Sequence, residues 1–245
     1  MEYFDSKVLE SFMIPEDSIV TEGFGSKIIE IGKKVINFLI TMITKLISIL
    51  GNLINRFKHG KTVHNDKETY QENKRLVDAT YKDLWTLLMD TAVGAGDLTF
   101  LASKTQIVII KIDENKFYDK EADFERKISI LSERYKNVEN KLNGKIIYLT
   151  KSQHDTIINN MEGYKSMFKH NINELKATLN ENQNNEFQKR YASEEIIKEC
   201  QKRCNILINQ STKYSLLFNN ITNLITKSVS PDVITDKDVY KFELS

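Results

Sequence analysis

Between residues 27 and 58 apolar and polar positions alternate with the period of a helix. Val35, Ile36, Leu39, Ile40, Ile43, Leu46, Ile47, Leu50, Leu53, Ile54 and Phe57 fall on one side, and Lys34, Asn37, Thr41, Lys45, Ser48, Asn52 and Arg56 on the other. Phe38, Met42 and Ile49 widen the apolar arc beyond a two-per-heptad seam, while Lys33 and Lys34 flank one end and Arg56, Lys58 and Lys61 the other. Such a helix suits a bundle core, a partner's groove or a membrane surface. A span is the remaining alternative: residues 35–54 reach the roughly 20 residues it requires, but Lys45 and Asn52 interrupt them. The residues that would meet a membrane or partner are Lys33, Lys34, Phe38, Leu39, Met42, Ile43, Leu46, Leu50, Arg56 and Lys58.

Further along, residues 59–66 form a polar stretch with Gly60 as a hinge or turn. A second helix is predicted over 67–92, with Leu76, Val77, Tyr81, Leu84, Leu88 and Ala92 on its apolar side, ended by the glycines of Val93-Gly94-Ala95-Gly96. A third follows Phe124, Ile128, Leu131, Tyr135, Val138 and Leu142 and stops at Asn143-Gly144. Ser152 with Asp155 resembles a capping box opening a helix along Ile157, Met161, Tyr164, Phe168, Ile172, Leu175 and Leu179, which loosens at 180–186. Ser193 can cap the last helix, where Ile197, Cys200, Cys204, Leu207, Ser211, Tyr214, Phe218, Ile221 and Ile225 keep a strict three-four spacing. That line is an oligomerisation or packing seam, and Pro231 closes its helix.

Residues 105–113 and 145–150 are short and dense in β-branched side chains. They fit strands of a small sheet, joined by 239–244, or equally buried helix ends. The expected fold is therefore mainly α, a long amphipathic N-terminal helix followed by a helical bundle or coiled-coil region, with a minor two- or three-stranded sheet as an option. The organisation is an acidic leader over 1–22, the basic amphipathic helix over 23–60, a helical domain over 66–230 and a tail over 231–245.

Charge changes the picture only at the front of the chain. Although the net charge is +1, residues 1–22 set six acids against Lys7, and residues 23–65 set seven bases against Glu30. An acidic leader thus precedes a basic helix that it could mask. The rest carries no basic stripe, which argues against specific nucleic-acid binding. The acidic start also lacks the basic region of a secretory signal, so cytoplasmic or peripheral-membrane localisation is the expectation outside a virion.

No catalytic constellation emerges. His59, His64, His154 and His170 are scattered, the two cysteines lie four apart on a seam, and Gly94-Ala95-Gly96 lacks the lysine of a phosphate loop. The chain is expected to be non-enzymatic, with no metal, cofactor or small-molecule substrate.

At the change of sign stand Val20, Thr21, Glu22 and Gly23. This stretch resembles the processing sites of prohead-protease substrates in T-even-like tailed bacteriophages, which have an aliphatic residue two before a glutamate and a small residue after the cut. Val20 takes the aliphatic place, where Ile or Leu is usual, Glu22 the glutamate and Gly23 the following position. The leader around Met13-Ile14-Pro15-Glu16-Asp17 is similar to the starts of virion proteins of large phages. The resemblance implies a structural or internal head protein of the virion, cut after its leader, whose amphipathic helix engages other virion proteins, itself or a membrane surface. The competing expectation is a non-enzymatic coiled-coil adaptor or membrane-tethered scaffold.

Overall fold

The structure, a computed structural model, describes residues 24–63, 67–105, 114–183, 193–235 and 241. Five helices dominate the described residues: α1 Phe24–Lys58, α2 Lys67–Thr105, α3 Glu114–Leu142, α4 Lys151–Gln183 and α5 Glu194–Ser228. Three strands, β1 Thr62–Val63, β2 Ile147–Thr150 and β3 Val229–Ile234, form a parallel sheet in the order β1-β3-β2. The fold is mainly helical with a small sheet.

The polar line of α1 is the solvent side: Lys34, Asn37, Thr41, Lys45, Ser48 and Asn52 are exposed and Arg56 is half-buried. Its apolar line is core, with Val35, Ile36, Leu39, Ile43, Leu46, Leu50 and Phe57 fully buried. Several termini follow the local chemistry. Asn143 and Gly144 both take positive φ, 45° and 73°, and the Lys145 amide donates to the Leu142 carbonyl, closing α3. Ser193 Oγ accepts from the Ile196 amide, capping α5.

Four expectations are corrected. Gly94-Ala95-Gly96 does not end α2, which runs on to Thr105. A Cβ on Gly94 would lie 2.9 Å from Cε2 of Tyr214, so this glycine admits a ring rather than a turn. The capping box that opens α4 is Thr150 with Gln153, two residues before the expected pair. The Gln153 amide donates to Thr150 Oγ1 at 3.2 Å and the Thr150 amide to Gln153 Oε1 at 3.0 Å. Asp155 instead pairs with Lys151 at 2.6 Å.

The third correction concerns the strands. Residues 145–150 do supply β2, but its partner is β3, and the expected strand at 239–244 lies outside the described residues apart from Lys241, which is not in a strand. The other expected strand, 105–113, begins on the last residue of α2, and the remainder lies outside them too. Finally, Pro231 does not open a loose tail but sits inside β3. The central strand tolerates it because the ladder slips there: Ile147 pairs with Val229 and Leu149 with Val233, leaving Pro231 in a bulge.

The chain divides into two compact units. One comprises Met1–Thr44, Gly94–Arg126 and Lys169–Ser215; the other comprises Lys45–Val93, Lys127–Phe168 and Leu216–Ser245 and holds the sheet. Within the second, α2 and α3 run antiparallel, tied by Arg134 to Asp90 at 2.6 Å and Lys141 to Asp83 at 2.8 Å. Asn73 clamps β2 on the side away from β3, donating to the Tyr148 carbonyl at 2.9 Å and accepting from its amide at 2.8 Å. An amide side chain so placed satisfies a backbone pair that an open edge would expose.

Candidate functional site

The residues singled out by sequence fall into three groups. Val20, Thr21, Glu22 and Gly23 lie outside the described residues, and α1 begins next to them at Phe24. Of the membrane or partner group, Phe38, Leu39, Met42, Ile43, Leu46 and Leu50 are 0–1% exposed. Membrane contact through these side chains would require the helix to leave the core. Lys33 is half-buried, and Lys34 is exposed with Glu30 3.4 Å away. Arg56 donates to the Val229 carbonyl at 3.0 Å, just beyond the C-terminus of α5, where a cation complements the helix dipole. Lys58 reaches Glu162 on α4 at 3.2 Å.

In the third group, Ile197, Cys200, Cys204, Leu207, Tyr214, Phe218, Ile221 and Ile225 are all fully buried within the single chain. Ser211, the polar step in this seam, donates to the Leu207 carbonyl one turn back at 2.6 Å. The seam is thus filled by the chain's own packing. Both thiols are buried and reduced, and burial in apolar surroundings keeps such cysteines inert. Burial drives the Tyr214 phenol well above the usual tyrosine range, with Asp97 adding to the shift.

Sequence reasoning missed a buried cation in the first unit. Arg203 is fully buried; its Nε donates to Glu199 at 2.7 Å, and its guanidinium lies over Phe117 and Tyr118, 5.1 and 5.6 Å from the ring centres. Tyr118 donates to the same Glu199 oxygen at 2.8 Å, and burial, then this bond, raises its pKa. Both Arg203 Nη atoms lack a hydrogen-bond partner among the described residues. The i, i+4 spacing of Glu199 and Arg203 was visible, but it is equally common on solvated faces. Burial beside the seam gave no separate signal.

In the second unit Phe57 meets Trp85 and His154 edge to face, at 6.4 and 5.3 Å between ring centres. A surface hollow of about 360 Å³ lies along α2 and α3, lined by Asp83, Arg134, Asn137, Val138, Asn140 and Lys141. Its charged groups are engaged in the ion pairs described above, which leaves it no poised acid, base or nucleophile. Among the described residues no group of three or more His, Cys, Asp or Glu could hold a metal ion. No protein-family model, curated protein or solved structure matches the chain.

Proposed function

We propose that this protein is a structural, non-enzymatic component of a tailed-phage virion, cut between Glu22 and Gly23. The observation that carries the reading is the position of that bond beside a folded body. The first described helix starts at Phe24 and buries its apolar side chains in the same chain. A cut at Glu22-Gly23 would remove an acidic leader and leave every described helix and strand whole. The leader's excess of negative charge next to the basic flank of α1 supports masking before processing. In this reading the partners are other virion proteins or further copies of the chain, met through helical faces, and the location is the virion.

Burial of α1 favours a structural role for the amphipathic helix over a membrane-seeking one. Likewise, a seam already filled within one chain counts against a scaffold that oligomerises through α5. Intact-mass spectrometry on purified particles tests the reading. The expected species begins at Gly23; a chain still carrying residues 1–22 in mature particles would refute processing.

A further inference from the structure

Arg203 is a buried charge whose pairing within the chain is incomplete. Its side chain is 1% exposed, and its Nε donates to Glu199 Oε1 at 2.7 Å. The two Nη atoms are buried as well, and they have no hydrogen-bond partner among the described residues. A guanidinium carries most of its donors on those two atoms. Holding them out of water without acceptors is costlier than doing the same to a neutral group, so the protein's own contacts leave this cation unbalanced.

The groups around it lie on α3 and α5, in one compact unit. Phe117 and Tyr118 set their ring centres 5.1 and 5.6 Å from the guanidinium carbon and stand edge to face to each other at 5.4 Å. Ring faces attract a cation, but they do not replace an oxygen acceptor for its N–H groups. Glu199 Oε1 is shared, because the Tyr118 hydroxyl also donates to it at 2.8 Å. That one carboxylate faces two cations: Lys202, exposed at the rim, holds its Nζ 4.9 Å from the centre of the Tyr118 ring. Other carboxylates on the two helices are engaged or face water. Glu194 pairs with Lys198 at 2.8 Å, Glu121 accepts from Gln210 at 2.6 Å, and Asp119 and Glu195 are exposed.

We propose that the Nη fork of Arg203 binds one small oxyanion, of the class of inorganic phosphate or sulfate, as a structural ion. Two parallel N–H···O bonds from Nη1 and Nη2 require two oxygens on one centre, which an oxyanion provides and a halide does not. Its charge also offsets the cation that Glu199 leaves over, which a water molecule in the same place would not do. Because both Nη atoms are buried, the ion enters when the helix ends open or as the chain folds, and it exchanges slowly. The inference is independent of the leader and of its removal.

Thermal unfolding of the full chain tests it, after refolding at constant pH and ionic strength with chloride replaced stepwise by millimolar phosphate or sulfate. An ion that binds only the folded chain raises the midpoint with the logarithm of its concentration, and that rise is expected for the unchanged protein. Arg203→Met keeps much of the side chain's volume but neither charge nor fork, and its midpoint is expected to be indifferent to the ion. Arg203→Lys keeps the charge without the fork and is expected to weaken the apparent affinity at least about tenfold. It carries the comparison if the methionine variant does not fold. Equilibrium dialysis of the refolded chain against labelled phosphate is expected to find one ion per chain, displaced by sulfate and not by chloride. An unchanged protein indifferent to both ions, or dialysis that finds no bound phosphate, would overturn the proposal. So would an equal rise in all three proteins, since that is the general exclusion of these salts from protein surfaces.

Discussion

Gly60→Ala is expected to destabilise the protein by about 3 kcal/mol, a large effect for one methyl group. The added Cβ would lie 1.7 Å from the Pro231 carbonyl oxygen, 2.5 Å from its carbon and 3.2 Å from the Asp232 nitrogen. All three are backbone atoms of β3, so no side-chain rotation relieves the clash. Relief requires detaching β1. That sacrifices the Lys61 amide to Asp232 Oδ1 at 2.8 Å and the Val233 amide to the Lys61 carbonyl at 2.9 Å, bonds worth about 1 kcal/mol each. Detachment also uncovers the edge of β3, whose Val233 and Ile234 are buried. Gly51→Ala is the control. Nothing lies within 4 Å of its new methyl, and the substitution is expected to stabilise α1 by up to about 1 kcal/mol. Urea unfolding of the two variants should therefore move the midpoint in opposite directions; a neutral Gly60→Ala would mean that β1 does not pass this close to β3.

Phe57→Ala is the second large effect, expected to cost about 3–5 kcal/mol. The ring is fully buried at the last turn of α1, edge-on to Trp85 of α2 and His154 of α4. The Arg56 guanidinium stands 5.8 Å from its centre. Truncation removes the transfer energy of the ring and leaves a cavity among three helices that cannot close over it independently. Phe57→Leu keeps most of the volume and is expected to lose less than half as much. Trp85 is the sole tryptophan and touches the deleted ring, so its fluorescence reports both the unfolding midpoint and the local change. A loss below about 1 kcal/mol would place Phe57 at the surface rather than in the core.

How much of this was legible follows from the range of each interaction. The two faces of α1, the Asn143-Gly144 stop and the Ser193 cap are set by residues within one or two turns of each other, and the sequence displays them directly. The glycines of α2 read as a terminus because the ring that needs Gly94 is Tyr214, far along the chain. Local propensity contains no trace of that contact. The two overlapping boxes at the start of α4 were both present as text; Thr150 wins because β2 delivers the chain directly to it. Pro231 misled for a similar reason, since a bulge depends on the register of a parallel partner that local sequence does not specify. The processing residues were legible only as a resemblance.

The role of α1 is the point on which the functional reading turns, and liposome flotation of a chain beginning at Gly23 tests it most directly. With anionic phospholipid vesicles, the burial of Phe38, Leu39, Met42, Ile43, Leu46 and Leu50 in the core leads to the expectation that the folded protein stays in the dense fraction. Neutralising Lys33, Lys34, Arg56 and Lys58 together should then change nothing in its distribution. Flotation that is strong before those substitutions and lost after them would contradict a core role and make α1 a membrane-binding element.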